Sequence, residues 1–96
     1  MRTMMRVQIP TEAGNKSIAE GALPKVIGEF IEKHKPEAAY FTLDEGLRTA
    51  FFVLDIKSSS EIPVLAEPFF RAFNAQLELR PVMNGEELRT GLSKLG

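Results

Sequence analysis

Polar and aromatic side chains able to bind or transform a small molecule recur at alternate positions in four short stretches of the chain. Guanidinium groups bind anions through paired hydrogen bonds, aromatic rings pack against the apolar body of a ligand, and a carboxylate can move a proton. Seven residues are therefore candidates for a ligand-binding surface: Arg6, Gln8, Tyr40, Thr42, Phe51, Glu78 and Arg80.

Four predicted β-strands carry these seven residues. Apolar and polar residues alternate along the stretches, which puts successive side chains on opposite faces of a sheet. Pro10 ends the first strand because it lacks an amide hydrogen, and Asp44-Glu45-Gly46 predicts a tight turn between the second and third strands. The predicted strands are Met4 to Pro10, Ala38 to Leu43, Arg48 to Ile56 and Gln76 to Met83.

Two amphipathic helices fill the first and last gaps between these strands. Apolar residues between Ala22 and Lys35 follow the i, i+3, i+4, i+7 spacing of a helix packed on a sheet, and Gly21 breaks it from any helical turn upstream. Thr11 to Gly14 is predicted to be a loop. The second helix is predicted to begin with Ser60 as its N-cap and to bend at Pro68.

The C-terminal tail, residues 83–96, is predicted to be helical. Asn84 can cap a short helix that runs through Leu95, and Glu86 and Glu87 in its first turn suit the positive end of the helix dipole. We expect this tail to fold over an edge of the sheet.

The order of elements, βαββαβ, predicts an α+β fold of the ferredoxin-like sandwich class. Such a fold has a four-stranded antiparallel sheet in the order four-one-three-two, and right-handed crossovers place both helices on one face. At 96 residues the chain is expected to form a single domain, residues 1–96. The other face of the sheet, here called the open face, carries ten side chains: Met4, Arg6, Gln8, Tyr40, Thr42, Thr49, Phe51, Val53, Glu78 and Arg80.

Two interpretations of the open face follow from its charges. Arg6 on the first strand should lie within cross-strand reach of Glu78 and Arg80 on the fourth. In the first interpretation, the face is the wall of an amphipathic cavity for a small anionic or aromatic ligand. In the second, the same charges are paired ions at a dimer interface or in solvent, which requires no ligand.

Composition excludes several classes of function. The chain has no cysteine, so disulfides, thiolate nucleophiles and iron–sulfur clusters are excluded. Its net charge of −1 and scattered basic residues disfavour nucleic-acid binding. Nothing approaches the ~20 apolar residues of a membrane span or the apolar run of a signal peptide, and we expect a cytoplasmic protein. Glu12, Asp44 and Glu45 could supply oxygen ligands, but acidic turns are usually only solvated, and no metal or cofactor is predicted.

Dimeric α/β-barrel proteins of the muconolactone-isomerase-like kind resemble this chain from Arg48 to Met83, RTAFFVLDIKSSSEIPVLAEPFFRAFNAQLELRPVM. A strand that ends in an acidic residue, a short capped helix with a Pro-Phe element and a closing strand with Glu follow one another in both. Small uncharacterised bacterial proteins of that superfamily are similar to the preceding stretch, KPEAAYFTLDEGLRTAFF. The resemblance implies a homodimer, a dimeric α/β barrel, whose open faces meet around a shared cavity.

Activities of this superfamily can be compared with the residues present. The heme-degrading monooxygenases of this superfamily are identified by a pattern of Asn, His and Trp around the cofactor. This chain has no tryptophan, and its only histidine, His34, is predicted at a helix end. The axial histidine of chlorite-dismutase-like heme sites and the His and Asp pair of the YCII-like branch also lack a counterpart on any predicted strand. Cofactor-free isomerisation or oxygenation remains, with Glu78 or Asp55 as the base.

The leading hypothesis is therefore a small homodimeric protein that binds an anionic or aromatic molecule between facing sheets. The alternative is a cofactor-free isomerase or monooxygenase acting on a small aromatic or lactone-type substrate. A purely structural assembly protein, which uses the open face only for pairing, is a third class. The residues do not decide whether the protein is an enzyme.

Overall fold

The structure is a computed structural model that describes residues 1–96. Its strands and helices follow one another nearly in the order that the hydrophobic pattern predicts. Short 3₁₀ turns, Ser59–Glu61 and Ser93–Leu95, adjoin the third and fourth helices. The elements in chain order are β1 (Arg2–Ile9), α1 (Thr11–Ala19), α2 (Ala22–His34), β2 (Ala38–Asp44), β3 (Leu47–Asp55), α3 (Ile62–Phe73), β4 (Gln76–Pro81) and α4 (Gly85–Leu92).

The four strands form one antiparallel sheet in the order β2-β3-β1-β4. β1 is a central strand, and its Arg6 lies opposite Phe51 of β3 on one side and Glu78 of β4 on the other. The predicted strand order and the ferredoxin-like α+β fold are confirmed. The last strand ends at Pro81 rather than at the predicted Met83.

The hydrophobic core lies between the sheet and helices α2 and α3. Met5, Val7 and Phe52 project from the sheet and are fully buried. Phe30 of α2 packs its ring 4.7 Å from that of Phe52 and 4.9 Å from that of Phe69 on α3, measured between ring centroids. Burial of each such side chain contributes about 1.5–3 kcal/mol, so this aromatic cluster holds the helices on the sheet.

A nine-residue helix, α1, begins at Thr11, so the prediction of a loop over residues 11–14 is wrong. The amide of Gly14 donates to the carbonyl of Pro10 at 2.9 Å, which closes the first turn. A Cβ atom at Gly14 would lie 2.5 Å from Nη1 of Arg48. Glycine therefore leaves room here for the end of the Arg48 side chain, whose Nη2 donates to Oδ1 of Asn15 on α1 at 2.9 Å, whereas in the sequence it suggests a loop. The predicted break at Gly21 is confirmed, with φ at 73°.

A capping box precedes helix α3, and its N-cap residue is Ser58, not the predicted Ser60. The Ser58 hydroxyl accepts from the amide of Ser60 at 3.2 Å, and Oε2 of Glu61 accepts from the amide of Ser58 at 2.9 Å. Bonds from the amides of Ser58 and Lys57 lower the pKa of Glu61 below its ordinary 4.5. Because the folded-state pKa is lowered, this stabilisation is present above pH 4.5 and is lost as the pH falls through the folded value.

Replacing Ser58 by Ala is expected to lower the free energy of unfolding by about 1 kcal/mol, because the cap hydroxyl is removed while the helix remains. Urea unfolding followed by circular dichroism measures this loss. Ser59→Ala is the matched control, since Ser59 is exposed and its side chain makes no hydrogen bond. Equal losses in the two variants would show that the Ser58 cap contributes nothing.

Helix α4 projects from the domain, so the prediction that the tail folds over an edge of the sheet is wrong. Asn84 caps the helix as predicted, with its side chain accepting from the amide of Glu87 at 2.8 Å. Every residue from 83 to 96 is exposed. The Cα radius of gyration is 15.2 Å and the longest dimension is 55 Å. A compact domain of this length has a radius near ~12.5 Å, so the helix accounts for the elongation. None of the helices is both long and apolar enough to cross a membrane.

Candidate functional site

All ten predicted side chains lie together on the open face, because their strands pair in a register that aligns them. Residues directly opposite one another on neighbouring strands point to the same side of a sheet. They form three rows across the strands: Arg80, Met4 and Val53; Glu78, Arg6, Phe51 and Tyr40; and Gln8, Thr49 and Thr42. Their role in binding a ligand remains a prediction.

Arg6 is the centre of an ion-pair network on this face. Its Nε donates to Oδ2 of Asp44 at 2.9 Å, its Nη2 to Oε1 of Glu45 at 2.6 Å, and its Nη1 to Oε1 of Glu78 at 3.5 Å. Oε2 of Glu78 accepts in turn from Arg80 at 2.6 Å. The bonds to Glu45 and Asp44 raise the pKa of Arg6, so its guanidinium stays charged. The predicted proximity of Arg6, Glu78 and Arg80 is therefore observed.

The turn between β2 and β3, Asp44-Glu45-Gly46, is here called the hairpin tip, and it lies over one end of the open face. Glu45 and Gly46 both have positive φ, 56° and 75°, as in the two-residue turns that match the twist of a hairpin. Gln8 of β1 donates to the carbonyl of Asp44 at 3.0 Å, across the intervening strand β3. The hairpin tip thus buries Gln8 and brings two carboxylates to Arg6.

Asp44 and Glu45 are the site residues that sequence reasoning did not find as partners of Arg6. The sequence suggested them only as cation ligands together with Glu12, which lies on α1 at the helix side of the sheet. No group of three His, Cys, Asp or Glu side chains is placed to hold a metal ion. Gly46 is the one sequence feature that points to the position of Asp44 and Glu45, because glycine permits a two-residue turn here. It does not predict that the turn bends over the open face towards Arg6.

A depression of about 350 Å³ lies on the open face between β4 and the hairpin tip. Phe51 and Met4 supply its apolar wall, and the ion-pair network supplies the rest. The lining residues are Met4, Arg6, Asp44, Glu45, Phe51, Glu78 and Arg80. Tyr40 and Thr42 lie outside it on the exposed edge strand β2, and Gln8 lies beneath the hairpin tip. Four of the seven candidate residues therefore line one concavity.

The charges of the depression do not favour an anionic ligand. Two arginines face three carboxylates, so the formal charge of the cluster is −1. The guanidinium of Arg6 is held by three acids and is only 17% exposed, which leaves little of it for a further anion. Arg80 is 61% exposed and has one partner, Glu78. Carboxylate oxygens accept hydrogen bonds, so hydroxyl groups of a neutral molecule suit this surface better.

The carboxylates of both candidate bases, Asp55 and Glu78, already accept hydrogen bonds from charged groups of the protein. Asp55 lies at the end of β3, where its Oδ1 accepts from the N-terminal ammonium at 2.7 Å, and this hydrogen bond lowers the pKa of Asp55. It does not line the depression. Glu78 does, but one of its oxygens accepts from Arg6 and the other from Arg80. A substrate has to compete with both arginines for Glu78.

Comparison with known proteins gives a shared fold. No protein-family model and no curated protein matches the chain. Among solved structures, it is similar to 5-chloro-2-hydroxyhydroquinone dehydrochlorinase (TftG) from Burkholderia phenoliruptrix AC1100 in complex with 2,5-dihydroxybenzoquinone. The match covers 91% of this chain and 98% of that chain, with 17% sequence identity and a TM-score of 0.67. At this identity the likeness establishes the fold and not an activity.

Proposed function

We propose that the protein is a cytoplasmic homodimer that binds a small aromatic molecule in a cavity between two facing open faces. The observation that carries the proposal is the depression of about 350 Å³, in which Phe51 and Met4 stand beside a network of charged groups. Small-molecule sites combine apolar walls with convergent polar groups, and in this depression two apolar residues stand beside five charged ones. A second copy laid over the open face would roof the depression and exclude water from it.

The ligand class we propose is a neutral aromatic compound with hydroxyl groups, such as a hydroquinone. Its hydroxyls would donate to the carboxylates of Glu45 and Glu78, and its ring would pack on Phe51. The net charge of −1 in the depression disfavours a carboxylate ligand. 2,5-Dihydroxybenzoquinone is the ligand in the TftG complex, and because the fold is shared, that complex supports an oxygenated ring compound as the ligand class.

A cofactor-free enzyme of the muconolactone-isomerase-like kind is the second candidate. It is favoured by the position of Glu78, the one acid of β4 in the depression, where it could move a proton in an isomerisation or oxygenation. This function requires that a bound substrate displace Arg6 or Arg80 from the Glu78 carboxylate. Turnover of a hydroxylated aromatic that is lost in Glu78→Gln, with binding retained, would identify an enzyme.

Oligomeric state and bound mass are the first measurements. Light scattering across a dilution series, coupled to native mass spectrometry, should give a dimer that carries any co-purified molecule. Hydroquinone added to the protein should shift the amide resonances of β1, β3 and β4, whereas benzoate at the same concentration should shift them less. A monomer whose spectrum hydroquinone leaves unchanged would refute the proposed function.

Arg80→Ala is expected to weaken hydroquinone binding by about 5- to 10-fold while the dimer persists, because Arg80 lines the depression and its bond to Glu78 fixes the carboxylate that would accept from a ligand hydroxyl. The matched control is Arg71→Ala, which removes the same charge from the exposed surface of α3. Titration monitored by amide resonances gives both affinities. If Arg80→Ala instead dissociates the dimer and no ligand binds either form, the open face serves assembly alone.

A further inference from the structure

The C-terminal helix carries an apolar stripe that is largely exposed in the single chain. Leu88 and Leu92 of α4 are spaced i, i+4 and therefore share one side of the helix, and Leu95 follows in the 3₁₀ turn Ser93–Leu95 that continues it. They are 44%, 55% and 79% exposed. An isolated helix of this length is only marginally stable in water, so a helix with such a stripe requires a surface to pack against.

The domain from which α4 extends does not provide that surface. The capping box of Asn84 and Glu87 and the ion pair of Glu87 with Arg2 fix where the helix begins. Beyond that point no residue is buried, and the long dimension of 55 Å shows that the helix runs away from the sheet. The stripe is therefore presented outward from a fixed base at the end of β1.

The area of the open face favours a second copy as the partner, because two facing sheets alone bury too little surface for a stable dimer. Four strands of about six residues present a face of roughly 400 Å², so two facing sheets bury about 800 Å² in total. Stable protein–protein interfaces bury about 1,200–2,000 Å². Each copy adds three leucines of about 100 Å² each. These leucines and the surfaces that they cover raise the total buried area of the dimer into that range.

We propose that α4 of each copy packs its leucine stripe against the other copy and completes the dimer. This inference rests on the proposed function, because it takes the facing sheets as the remainder of the interface. In a dimer with two-fold symmetry, each α4 makes the same contact with the other copy. The apolar stripe therefore contributes twice to the interface.

The test is the double substitution Leu88→Glu with Leu92→Glu, in the full chain. Glutamate retains helix propensity and the leucines lie outside the core, so the domain should stay folded. The dimer dissociation constant is expected to rise by about 100-fold or more, since four buried leucines are lost per dimer. Thr90→Glu adds a charge on the opposite side of the same helix and should leave the constant within about twofold of wild type.

Phe51→Glu on the open face separates this inference from the proposed function. If the leucine variant keeps the wild-type dissociation constant while Phe51→Glu dissociates the dimer, the role of α4 is refuted and the facing sheets stand. If only the leucine variant dissociates the dimer, α4 is supported and the facing sheets fail. A wild-type protein that is monomeric at every concentration would overturn both.

Hydrogen exchange on the wild-type chain gives a second measurement that needs no variant. The amides of residues 89–95 should exchange slowly in concentrated protein and fast after dilution below the dissociation constant, whereas the amides of β1 should stay protected at both concentrations. Fast exchange in α4 while the protein is dimeric would refute the inference.

Discussion

Phe69→Ala is expected to lower the free energy of unfolding by about 3–5 kcal/mol, a large part of the 5–15 kcal/mol of a typical domain. Phe69 is fully buried on α3, and its ring lies 4.9 Å from Phe30, 6.0 Å from Phe52 and 6.2 Å from Phe73. Alanine would leave a cavity where the sheet meets both helices. Urea unfolding at a fixed protein concentration measures the loss.

The adjacent residue provides a matched control for that experiment. Phe70 on the same helix is 42% exposed, so Phe70→Ala removes the same atoms without opening a cavity in the core. We expect it to lower the free energy of unfolding by less than about 1.5 kcal/mol. Similar losses in the two variants would mean that the aromatic cluster does not hold the helices on the sheet.

Arg6→Met is expected to lower the urea midpoint at pH 7 by more than Arg80→Met does. Arg6 contacts three acids, whereas Arg80 contacts one. Without the guanidinium, the carboxylates of the hairpin tip and Glu78 repel one another, and the tip loses what holds it over the face. Methionine has a similar length and no charge, so the comparison isolates the ion pairs.

Salt distinguishes this electrostatic cause from lost packing. Raising the ionic strength from 0.1 M to 1 M shortens the screening length from about 10 Å to about 3 Å. The difference between Arg6→Met and wild type should therefore shrink in 1 M NaCl. If salt leaves the difference in urea midpoint unchanged, the loss in Arg6→Met is due to packing. If Arg6→Met and Arg80→Met have the same midpoint, the hairpin tip does not depend on Arg6.

The sheet and its open face are predictable because strand periodicity is a local property. In β1, Met5 and Val7 alternate with Arg6 and Gln8, and this pattern alone decides which side each residue faces. The pairing order then follows from the handedness of the two crossovers. Helix caps are local as well, and Asn84 with Glu87 illustrates a terminus that two residues, three positions apart, specify.

Two of the missed features, helix α1 and the curl of the hairpin tip, depend on contacts between distant residues. Gly14 has low helix propensity, and its helix is stabilised by packing on β3 near Arg48. The curl of the hairpin tip follows from bonds of Asp44 and Glu45 to β1, 36–39 residues away in the chain. No pattern in either segment encodes the other. The prediction of an anionic ligand takes Arg6 to have Glu78 as its only acid, whereas Asp44 and Glu45 in that unforeseen turn also pair with Arg6.

The central position of β1 imposes an order on folding. Of the four strands of the sheet β1 is synthesised first, yet one of its two neighbours is β4, Gln76–Pro81, which is synthesised last of the four. Until β4 emerges, the hydrogen-bonding edge of β1 on that side has no partner, and such an edge is a template for pairing with other chains. Contacts that join distant residues also slow folding. A nascent chain of this protein is therefore most exposed to aggregation in the interval before the last strand of this sheet is made.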